Sequence, residues 1–165
     1  MRTHHRRRAA ASPEALWEAA REVRLSDTRR LQHLVRWRIP DVPAALTYDE
    51  LFRGYPFTVL DAGETWSVSG LCGRIWTLQR DYPRLDGPGA FRDWDEPGTV
   101  RVLFAHWTEP GPNGGAELVS EARVDPVDTT ARVRLRALWT VIGPFERLVG
   151  AEPLAVAARR AERGR

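Results

Sequence analysis

The feature that most constrains this chain is a change of hydrophobic period. Val100 to Thr108 alternates with a period of two, as does Glu117 to Val124, and the turn Pro110 to Gly115 joins them. Side chains on a strand alternate between faces, so this pair reads as an antiparallel hairpin with one buried side. From Asp128 onward the period becomes helical. Ala131, Leu135, Leu138, Ile142 and Phe145 share one face, while Arg132, Arg136 and Arg147 lie away from it. Asp128 is a fitting N-cap for that helix. Gly143-Pro144 is expected to kink or interrupt it, and Pro153 to do so again.

The other end of the chain is helical too. In the run ASPEALWEAAREV, Ser12 is an N-cap, Pro13 occupies the first helical position, and Glu14 faces the positive end of the dipole. Leu16, Ala19, Ala20 and Val23 form its apolar stripe. A second helix begins after Ser26 or Asp27, with Leu31, Leu34 and Val35 turned inward, and ends at Pro40 and Pro43. Between helices and hairpin, residues Phe57–Leu60, Thr65–Gly70 and Leu71–Leu78 are strand-like. Asp81 to Gly98 reads as a loop with one short strand near Phe91 to Trp94. The order is strand, two helices, several antiparallel strands, then a long helix.

That order is where a family likeness appears. ASPEALW behind an N-terminal strand resembles the START-like (SRPBCC) superfamily of polyketide cyclases and dehydrases, lipid-transfer domains and the major birch-pollen allergen. VRWRIPD at Val35 to Asp41, LVSEARVDPVDTTARVRLRALW at Leu118 to Trp139, and Gly143-Pro144-Phe145 are similar to an uncharacterised bacterial branch. The resemblance implies an α+β helix-grip fold over residues 1–165. In it a curved antiparallel sheet wraps a long C-terminal helix, with two short helices after the first strand. It also implies a cavity, often apolar, between sheet and helix. Its motifs are fold motifs: Ser12, Pro13 and Trp17 report how a helix starts and packs.

Composition excludes several function classes. With 165 residues and 42% apolar content, the chain is long enough for one domain with a real core. No run approaches the roughly 18 to 20 apolar residues of a membrane span. No apolar stretch follows the basic start, so a secretory signal is not expected. Cys72 is the lone cysteine, which fits a reducing cytoplasm. All 25 basic residues are arginine, the codon bias of a GC-rich, bacterial genome. The net charge of +3 concentrates in arginines at both ends, with Asp81 to Asp128 acidic. Without a stacking platform or recognition helix, that pattern describes solvated ends rather than a nucleic-acid surface. His4, His5, His33 and His106 lack metal-ligand spacing, and no phosphate-binding loop or nucleophile elbow is present, so neither metal nor cofactor is expected.

Strand parity supplies the candidate site. One face of the strongest strand carries Val100, Val102, Phe104, His106 and Thr108, which points Phe104 and His106 toward the cavity. On its partner, Leu118, Ser120, Ala122 and Val124 oppose Glu117, Val119, Glu121 and Arg123. Two readings stand here. Glu121 and Arg123 form a polar cavity floor with His106, or they lie on a convex wet face while Leu118, Ala122 and Val124 make the core. Trp66, Trp76 and Trp139 are candidates to line the cavity, and each is equally a core side chain. The expected function is binding of a small hydrophobic or aromatic molecule between sheet and last helix. The alternative is a cyclase or dehydrase using His106, Glu121 and Arg123 to move protons.

Overall fold

The computed structural model describes residues 1–38, 42–77 and 82–164, without the side chains of 34, 37, 38 and 141–149. Strand β1 (Arg2–Ala9) leads into α1 (Pro13–Arg21), a 3-10 turn (Leu25–Asp27), α2 (Arg30–Arg38) and α3 (Tyr48–Arg53). Strands β2 (Thr58–Ala62) and β3 (Trp66–Gly73) follow, then α4 (Pro88–Arg92), β4 (Val100–Pro110), β5 (Ala116–Pro126) and α5 (Thr129–Arg163). The five strands form one antiparallel sheet in the order β1-β5-β4-β3-β2. The curved sheet wraps α5, which makes this a helix-grip fold.

The helices start where the sequence says they should. Ser12 Oγ accepts from the Ala15 amide at 3.2 Å, and Asp128 from the Ala131 amide at 2.7 Å. Each satisfies a backbone donor that the first helical turn leaves open. Asp128 also accepts from the Gly98 amide at 2.7 Å, which ties the start of α5 to the strand entering the sheet. Those backbone hydrogen bonds hold the Asp128 carboxyl below its usual range.

Two expectations fail here. The segment around Phe91 is helix α4 rather than a strand, with Gly87 at φ 94° as its cap and Pro88 in its first turn. Helix α5 also runs unbroken through Gly143, Pro144 and Pro153. A proline inside a helix costs roughly 3 kcal/mol, and around Pro153 tertiary packing outweighs it. The Glu152 carboxylate accepts from the amides of Arg29, Arg30 and Leu31 at 2.8 to 3.0 Å, so it caps α2 from α5. Leu154, Ala157, Ala158 and Ala161 bury against α1. Arg160 reaches Asp27 at 2.7 Å and the Glu22 carbonyl at 2.8 Å. Of the expected inward-facing residues, Leu31 is buried and Val35 half-buried, while Leu34, Ile142 and Phe145 fall outside the described side chains, as does Arg147. Pro40 and Leu78 lie outside the described residues.

Among the described residues, the core divides into two apolar clusters. One gathers α1, the C-terminal half of α5, Ala9, Ala116 and Leu118. The other joins Leu71, Val100, Val102 and Val124 to Ala131 and Leu135 at the start of α5. Phe57 and Phe104 pack against both. The sheet face between the clusters is where the site lies.

Candidate functional site

Register decides which side chains face α5. On β4 and β5 the pairs Val102–Val124, Phe104–Ala122, His106–Ser120 and Thr108–Leu118 share the inner face. Ser67 and Ser69 of β3 oppose His106 and Phe104, and His5 of β1 opposes Ser120. A polar row therefore crosses four strands on the inner face: Ser67, His106, Ser120, His5. Directly opposed residues stand about 5 Å apart, so neighbours along the row are within reach of one ligand group. The row runs between the two apolar clusters. His5 itself packs against Gly150 of α5, in the space that any larger residue there would need for its Cβ.

On and beside this face, His106 and three further buried polar groups make no hydrogen bond within the protein. His106 is 8% exposed, yet neither Nδ1 nor Nε2 makes a hydrogen bond. The hydroxyls of Ser69 and Thr108 on the same face are likewise buried and unpartnered. So is Nε1 of Trp76, which packs against the second cluster. An unmade hydrogen bond on a buried group costs about 1–3 kcal/mol, and folded proteins rarely carry several together. Tyr48 and Phe52 stack around the His106 ring at 5.1 and 4.8 Å between centroids. Burial in that aromatic setting pushes the imidazole down to about 4, so the ring is neutral at pH 7.

A cavity of about 20 Å³ adjoins His106 and Ser67, walled by Trp17, Phe52, Leu118 and Leu154. That volume admits about one water molecule. Its charged lining residues are Arg21 and Asp49, at the edge where α1 meets α3. Asp49 is already engaged, 2.8 Å from Arg53 and 3.9 Å from Arg21. Helix α3 is positioned by a capping box, in which Thr47 Oγ1 accepts from the Glu50 amide and Glu50 accepts from the Thr47 amide. That box fixes Tyr48 and Phe52, one turn apart, over His106.

The outer face is a different chemical surface. Glu121 pairs across the strands with His4 of β1 and Ala105 of β4, and Arg123 with Arg2 and Leu103. Both point away from α5, so the convex-face reading is the one the register selects. Glu121 is only 3% exposed, because Arg2 at 2.5 Å and Arg123 cover it. Burial pushes its carboxyl up, but hydrogen bonds from the two guanidiniums outweigh that and hold it below the usual carboxylate range. Glu117 sits below that range as well, held by hydrogen bonds from Arg8 at 2.5 Å and Arg6 at 2.9 Å. Arg6 also reaches Glu109 at 2.6 Å.

Of the expected site residues, Phe104 and His106 lie on the inner face, and Trp76 and Trp139 pack against the second cluster. Trp66 opposes Trp107 on the outer face, so the two tryptophans of β3 and β4 stand together away from the helix. Cys72 is buried in β3, and burial pushes its thiol up to about 12, which makes it inert. Sequence reasoning passed over Trp17, Tyr48, Phe52 and Ser67. The capping box Thr47-x-x-Glu50 is the signal that could have found the second and third of them. Among the described residues, no group of three metal-ligating side chains comes together and no helix is long and apolar enough to cross a membrane.

No family model matches the chain, and no curated protein matches it. Solved structures similar to it include protein MLL2253 from Mesorhizobium loti, at 15% identity and a TM-score of 0.42, covering 97% of this chain and 98% of that one. TTHA0849 from Thermus thermophilus is 10% identical with a TM-score of 0.38, covering 99% of each chain. Ara h 8.0201 is 13% identical with a TM-score of 0.32, covering 98% of this chain and 97% of its own.

Proposed function

We propose that this protein binds a small, largely apolar molecule between the sheet and α5, with His106 as its polar anchor. The observation that supports this is a buried imidazole with two unpartnered nitrogens, standing beside a cavity in an apolar, aromatic-lined interior. A histidine that served packing alone would cost stability at that position, and an apolar residue of similar size would not. A bound molecule offering a hydrogen bond there recovers that cost, which is what a binding site requires.

The existing cavity is a closed state, since about one water fits in it. Binding therefore requires Tyr48 and Phe52 to give way. They stand together on the six-residue helix α3, so opening the site displaces one short element and leaves the sheet and α5 in place. The alternative of a proton-moving cyclase or dehydrase loses its acid–base pair, because His106 and Glu121 stand on opposite faces of the sheet.

Native mass spectrometry of the purified protein, joined to tryptophan fluorescence across a panel of aromatic and lipid molecules, tests the reading. A retained small molecule, or a saturable fluorescence change from Trp17 at the cavity wall, is the expected result. A clean apo mass with no fluorescence response across the panel would overturn it.

A further inference from the structure

Resting on that binding reading, we infer that the molecule is uncharged and carries a hydroxyl group between two apolar parts, the hydroxyl seated on the row Ser67–His106–Ser120. The placement comes from the order of residues along the strands. On β4 and β5 the inner face runs from Val102 and Val124 through Phe104 and Ala122 to His106 and Ser120, then to Thr108 and Leu118. Val102 and Val124 belong to one apolar cluster and Leu118 to the other. A molecule lying along the strands thus meets hydrocarbon, then the polar row, then hydrocarbon again. Its polar group belongs in the middle.

The chemistry of that group follows from what the row offers. A neutral imidazole presents one N–H donor and one bare nitrogen acceptor, and neither is answered within the protein. A hydroxyl is both donor and acceptor, so one such group answers either nitrogen. The unpartnered hydroxyls of Ser69 and Thr108 flank it with the same dual capacity. An anion fits poorly. The charged side chains lining the cavity are Arg21 and Asp49 at its rim, and Asp49 already lies against two arginines. Among the described lining residues, a carboxylate on the row would find only Arg21, already paired with Glu18 and Asp49, and an ammonium only Asp49, already held by two arginines, so either charge would be desolvated with no free counter-charge.

Three probes of one shape separate these chemistries: bibenzyl, 1,2-diphenylethanol with its central hydroxyl, and the 2,3-diphenylpropanoate anion. Each is titrated at pH 7.5 into the wild type, His106→Leu and Ser120→Ala, with tryptophan fluorescence excited at the red edge of its band. The alcohol is expected to bind about tenfold or more tightly than either other probe, the ratio that one well-made neutral hydrogen bond supports. His106→Leu should abolish the preference of alcohol over hydrocarbon while bibenzyl binding persists, and Ser120→Ala should reduce it. Ser120→Ala, the smaller change, keeps the test readable if His106→Leu fails to fold. Equal binding of alcohol and hydrocarbon, or stronger binding of the anion, overturns the inference and leaves the binding reading standing. Failure of all three to bind the wild type overturns both.

Discussion

The two faces of one sheet solve the same problem in opposite ways. On the outer face, Glu117 and Glu121 are buried, yet each lies between two arginines and sits below the ordinary carboxylate range. On the inner face, the polar atoms of the His106, Ser69 and Thr108 side chains are equally buried and make no hydrogen bond within the protein. Charges that are fully paired at a surface hold the edge strand β1 in place. Neutral polar groups left unpaired in an interior are a cost that a ligand can offset. The difference separates a paired scaffold on the outer face from the inner face that the proposed ligand would use.

Substitutions can break or sharpen that contrast. The largest effect belongs to the helix that covers the inner face. Leu135→Ala, at a fully buried position, should destabilise the protein by about 2–5 kcal/mol in urea denaturation, because it leaves a cavity under α5. Next is the pH dependence of His106. Its folded-state value of about 4 lies below the 6.5 of an unfolded histidine, so the unfolded chain binds more protons between those values. Stability should be flat above pH 6.5 as far as this group is concerned. It should fall by up to about 3 kcal/mol as pH drops from 6.5 to 4, and that portion should vanish in His106→Leu. At pH 7, His106→Leu should itself raise stability by about 1 kcal/mol, since it removes an unsatisfied group. The outer face should respond with the opposite sign. Glu121→Gln is expected to cost about 1 kcal/mol, discounted because the Arg2 and Arg123 side chains are 61% and 60% exposed. Asp125→Asn, breaking an exposed pair with Arg101, should shift stability by about 0.5 kcal/mol or less.

How much of this was legible in the sequence differs between the same two faces. The inner face of β4 was readable from alternation alone, and so was the Asp128 cap, because both are local. His106 emerged from that parity. Ser67 and Ser120 did not emerge as its neighbours, since cross-strand register is not written in either strand by itself. Parity was not applied to β3, where Trp66 and Val68 point outward and the inner face carries the smaller Ser67 and Ser69. It was ambiguous on β5 for a physical reason. Arginines of β1 cover the outer face, so Ala116 through Glu121 are buried on both sides and the alternation loses its contrast. The break expected at Pro153 failed because a local propensity was weighed without the tertiary contacts of Glu152 and Leu154 on either side of it.

The most direct measurement is the long-range proton–nitrogen NMR spectrum of the His106 ring during titration with 1,2-diphenylethanol. The ring should begin as a neutral imidazole that stays neutral well below pH 6.5, and the shift of the nitrogen that meets the hydroxyl should move in proportion to occupancy. A ring whose nitrogens stay fixed while tryptophan fluorescence reports saturation would contradict the assignment of binding to the inner face.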